Sequence, residues 1–96
     1  MKLRDITDAL VGEDQAMMRQ AFGALVAGQE AVEAASPGML VVALNRLCAA
    51  LQKDDGVMPE AVAQFLGLPA GSSFAAGAAR VKADWTRMSR TIVERV

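Results

Sequence analysis

The sequence predicts an all-α single domain, a four- to five-helix bundle with helices over about residues 3–11, 13–35, 37–53, 59–66 and 73–95. Three observations carry this expectation. Leu40, Leu44, Leu47 and Leu51 recur at steps of four, three and four, the spacing of one helix face. Phe74, Ala78, Val81, Trp85, Met88 and Ile92 repeat at four, three, four, three and four, a heptad-like seam. Alanine and methionine fill most apolar positions, only Phe22, Phe65, Phe74 and Trp85 are aromatic, and no stretch alternates with strand period. A chain of 96 residues holds one core. The apolar run at 38–53 supplies its middle.

The first helix rests on Leu3, Ile6, Leu10 and Val11, with Asp5 or Thr7 as cap and Gly12 as terminator. The second, 13–35, opens on Glu13 and Asp14, which meet the positive end of its dipole. It carries a large stripe of Met18, Phe22, Leu25 and Val32 beside a small one of Ala21, Ala24, Gly28, Ala31 and Ala35. Gly23 and Gly28 each cost roughly 1 kcal/mol relative to alanine in a helix interior, so they imply close packing or a bend. Ser36 and Pro37 then suit the N-cap and first position of the central helix, which turns back on its predecessor. Asp54-Asp55-Gly56 ends that helix, with Gly56 expected in the left-handed conformation. Pro59 opens a short helix whose apolar face is Val62, Phe65 and Leu66, closed by Gly67, Leu68 and Pro69. Ser72 or Ser73 caps the last helix. At 1.5 Å per residue a continuous helix over 73–95 is about 35 Å long, so its end would overhang the bundle.

Composition limits the function classes. The sequence has no histidine, which removes the commonest general base and metal ligand. Cys48 is alone and lies between leucines, so it reads as a small buried hydrophobe and not as a thiolate. The acidic doublets Glu13-Asp14 and Asp54-Asp55 fall at helix ends, where caps and dipoles account for them. No phosphate-binding glycine loop is present. The expectation is a non-enzymatic protein with no catalytic, cofactor or metal residue. The absence of a secretory signal and of a membrane-length apolar run points to the cytoplasm and away from membranes.

Charge is polarised although the formal net charge is −1. Residues 1–79 carry five basic and nine acidic side chains, whereas residues 80–96 carry five basic and two acidic ones. The expected function is therefore a helical protein–protein interaction module, a regulator, inhibitor or assembly accessory, self-associating through the last helix. Val81, Trp85, Met88 and Ile92 are its expected contacts, because aromatic and methionine side chains dominate interface cores. An alternative uses residues 59–96 to bind nucleic acid. Glu60 to Leu68 followed by a helix is similar in texture to a helix-turn-helix, with Arg80, Lys82, Arg87 and Arg90 as polyanion contacts. Against it stand a long turn and the absence of basic or amide side chains from Phe74 to Gly77. An apolar strip at Val42 and Ala49, inside the polar face of the central helix, is a second possible contact.

Overall fold

The computed structural model describes residues 1–34 and 36–95. Ala35, the expected last residue of the second helix, lies outside them. Among the described residues there are six helices: α1 (Leu3–Val11), α2 (Gln15–Ala27), α3 (Pro37–Ala50), α4 (Glu60–Phe65), α5 (Phe74–Ala83) and α6 (Trp85–Arg95). The all-α fold is as expected, and the central helix keeps its role, although it stops at Ala50 with Leu51 as C-cap and not at 53. α3 packs against α1, α2, α5 and α6, and Leu40, Leu44, Leu47, Cys48 and Leu51 are all buried. A helix reaches four neighbours only if its apolar surface is broad, and the added Ala43 and Cys48 widen the leucine face.

The second helix is shorter than expected. It starts with Asp14 as N-cap, whose carboxylate accepts from the Met17 amide at 3.2 Å, and Glu13 lies outside with φ +53°. It ends at Gly28, where φ is +63°. Only glycine adopts that left-handed geometry without a Cβ penalty, so the residue that looked like a packing feature is a terminator. Beyond it the backbone pairs with the start of the chain: the Leu3 amide donates to Glu33 O, and the Glu33 amide to Met1 O, each at 3.0 Å. These bonds replace the helical ones that residues 29–34 were expected to make.

Gly56 departs from expectation too. Its φ is not positive; its amide donates to Asp54 Oδ1, and an added Cβ would lie 2.7 Å from Arg19 Nη2. Close approach, not a left-handed turn, is what calls for glycine there. The left-handed cap falls instead at Gly67, φ +70°, where the Leu68 amide bonds back to Ala63 O at 2.9 Å and closes α4.

The expected single helix over 73–95 is two. Ser73 caps α5 by accepting from the Ala76 amide at 3.1 Å. Asp84 then leaves helical geometry at φ −103°, ψ 30°, and α6 begins. Both halves lie on α3, so the bend keeps the apolar seam against the core over its whole length. The longest dimension of the molecule is 34 Å, and the expected overhang does not form.

Candidate functional site

The expected contact residues are interior. Val81 and Met88 are fully buried and Ile92 is 2% exposed, all three in one core with Phe22, Leu44 and Leu47. Trp85 is half-buried against the same core, with the Lys82 ammonium 6.0 Å from its ring. The heptad seam therefore closes on its own chain, which corrects the expectation that it faces a partner. A seam of this period is indifferent to whether its complement lies in the same chain or another.

The expected polyanion contacts are at the surface, and two of them are engaged by neighbouring side chains. Arg80, Lys82, Arg87 and Arg90 are exposed. Lys82 Nζ donates to Asn45 Oδ1 at 2.7 Å, and Arg87 pairs with Asp84 at 3.3 Å. None of the four pairs with Glu30, which instead accepts from the Met1 ammonium at 3.0 Å; that contact holds the Glu30 carboxyl below its ordinary range. The connection between α4 and α5 runs from Leu66 to Ser73, longer than a helix-turn-helix turn. The first turn of α5 exposes Ala76 and buries Phe74 and Gly77, so it offers no hydrogen-bond donor to a base edge.

One cluster of polar groups is inside the molecule. Asp54 is 6% exposed, the one buried charged residue among those described. Its carboxylate accepts from Arg19 Nε and Nη2 at 2.8 Å each, from the Gly56 amide at 2.8 Å, and from Gln15 Nε2. Arg19 foremost, then the Gly56 and Gln15 bonds, hold its pKa down to about 2 against the opposing effect of burial. Arg19, raised in turn by the same pair, also lies 5.5 Å over the Phe74 ring. The backbone completes the joint: Phe74 and Ala75 amides donate to Gly56 O and Asp54 O. Every lone-pair direction of the carboxylate is occupied by its own chain. This is a clasp tying α2, the 54–57 loop and α5. A doublet at a helix end concealed it, because its partner is 35 positions away.

Cys48 is 2% exposed, and burial pushes its thiol up to about 11, with the Lys82 charge acting weakly the other way. A buried, protonated thiol is a weak nucleophile. No group of three His, Cys, Asp or Glu side chains converges among the described residues. No described helix is long and apolar enough to cross a membrane.

What remains is a surface. A depression of about 350 Å³ runs between α1 and α3, lined by Leu3, Thr7, Leu10, Met39, Val42, Ala43 and Arg46 with Ser36 and Gly38 at one end. Met39 is 44% and Val42 53% exposed, and Val11 at the end of α1 is 80% exposed. An amphipathic α1 has buried only Ile6 and Ala9 under it, leaving a second apolar edge open. Val42 was visible in the sequence as an apolar intrusion on the polar side of α3. Met39 and the α1 edge were not, since their exposure depends on where α1 lies. A comparison with protein-family models, curated proteins and solved structures finds no match to this chain.

Proposed function

We propose that the protein is a small, non-enzymatic helical interaction module that engages a protein partner through the face formed by α1 and α3. The observation that carries this reading is the exposed apolar pair Met39 and Val42 over the α1–α3 groove. Large apolar side chains exposed around a concavity, on a chain that buries most of its leucines, support a binding face. The chemistry of the chain supports the same reading: no histidine, a buried neutral thiol, and one buried carboxylate saturated by its own protein. A single cysteine sealed in the core goes with a reducing, cytoplasmic setting. The contact face moves from the last helix to α1 and α3, since Val81, Met88 and Ile92 are occupied by the core.

The test compares tagged wild type with Val42→Glu and Met39→Glu in the native host, by affinity purification and mass spectrometry. Both sites are exposed, so both variants are expected to keep the wild-type melting temperature and to lose the co-purifying partner. Retention of the partner by both, with loss on reversing Arg80, Arg87 and Arg90, would refute this assignment and move the site to α5 and α6.

A further inference from the structure

The α1–α3 groove has a chemical bias that selects among protein partners. A second depression, lined by Lys2, Leu3, Arg4, Glu33, Ala34 and Met39, shares Leu3 and Met39 with the first. The two adjoin there, as one trough over the N-terminal half of α3. Its floor is apolar. Its ionisable lining is Lys2, Arg4 and Arg46 against Glu33. None of these three cations is in an ion pair among the described residues. A chain of net charge −1 thus presents a cationic rim around the exposed apolar pair Met39 and Val42.

We propose that this trough receives an amphipathic helix with acidic flanks, donated by a partner protein. The inference rests on the reading of the α1–α3 face as the contact surface and adds the class of partner. Length supports it. The α3 part of the lining runs from Gly38 to Arg46, about 12 Å at 1.5 Å per residue, which matches an apolar stripe of roughly two turns with anchors at i, i+3 or i+4, and i+7. Charge supports it as well. Unpaired cations beside an apolar floor attract acidic side chains to the rim, speed encounter, and repel a basic helix of the same apolar pattern. A nucleic acid would satisfy the cations but leave Met39 and Val42 without an apolar partner.

The test is selection of a displayed library of helical peptides, each about 16 residues with a fixed apolar stripe and randomised flanks, on the folded full chain. Counter-selection uses Met39→Glu, whose fold is checked by circular dichroism. The expected winners carry Asp or Glu beside the stripe. A synthetic winner is expected to bind wild type about tenfold more tightly than Arg46→Glu or Arg4→Glu, with affinity falling as salt rises. Winners with basic or neutral flanks, indifferent to Arg46→Glu, would overturn the acidic assignment and leave the face in place. So would sedimentation showing a wild-type dimer that Met39→Glu dissociates, since the occupant is then a second copy. If no peptide distinguishes wild type from Met39→Glu, both the inference and the reading beneath it fail.

Discussion

Removing the Asp54 carboxylate tests the clasp directly. Its side chain is 1% exposed and that of Arg19 is 40% exposed. Deleting one partner of a buried pair costs about 3–5 kcal/mol when the other charge is stranded. Here Arg19 reaches water and recovers part of its solvation, so the expected cost of Asp54→Ala is about 3 kcal/mol, the low end of that range. The same pair fixes the pH dependence. A carboxyl held at about 2 in the folded protein, against an ordinary value near 4, favours the folded state when ionised. That stabilisation is complete above about pH 5 and is lost as pH falls toward 2. A difference of nearly two units corresponds to about 2 kcal/mol. The assay is urea unfolding followed by circular dichroism and Trp85 fluorescence, on wild type, Asp54→Ala and Asp54→Asn, at about pH 7, 4 and 2.5. Wild type is expected to lose about 2 kcal/mol across that range that neither variant loses. An Asp54→Ala variant within about 0.5 kcal/mol of wild type at neutral pH would refute the reasoning, as would an unchanged acid slope in Asp54→Asn.

Leu44→Ala and Leu47→Ala, at fully buried positions on α3, are each expected to cost about 2–5 kcal/mol by chemical denaturation. Ile92→Asp is expected to yield an unfolded chain by circular dichroism, because the carboxylate enters the core; a folded monomer would show that α6 packs elsewhere. Glu13→Gly relieves a left-handed non-glycine residue at φ +53° and is expected to raise stability by about 0.5–1 kcal/mol, read as a higher melting temperature. Cys48 is expected to resist a thiol reagent in the folded protein and to react at once in denaturant; rapid native labelling would contradict its burial.

Much of the fold was legible because local rules were left to operate. The leucine spacing of α3, the Ser73 cap and the Gly67 terminator all fell where sequence logic put them. The misreadings share one cause: a residue whose role depends on something distant. Gly28 fits a small-residue stripe until residues 31–33 find residues 1–3 and the helix has reason to stop. Asp54 fits a cap until Arg19 arrives from another helix. Of the groove, Val42 was visible and Met39 was not.

The sequence by itself determined that the chain is helical, that residues 40–51 lead the core, and that no histidine is present. Periodicity and residue type are local properties, and they decide which segments coil and which face of each is apolar. The tertiary structure decided what those faces meet. The period of Val81, Trp85, Met88 and Ile92 would serve a partner or a core equally well, and the bend at Asp84 gives it to the core. α1 covers only part of the apolar surface of α3, and the uncovered remainder, at Met39 and Val42, becomes the surface left for binding. Burial is a property of the whole packing, because a side chain is covered only when some other element has nowhere better to go.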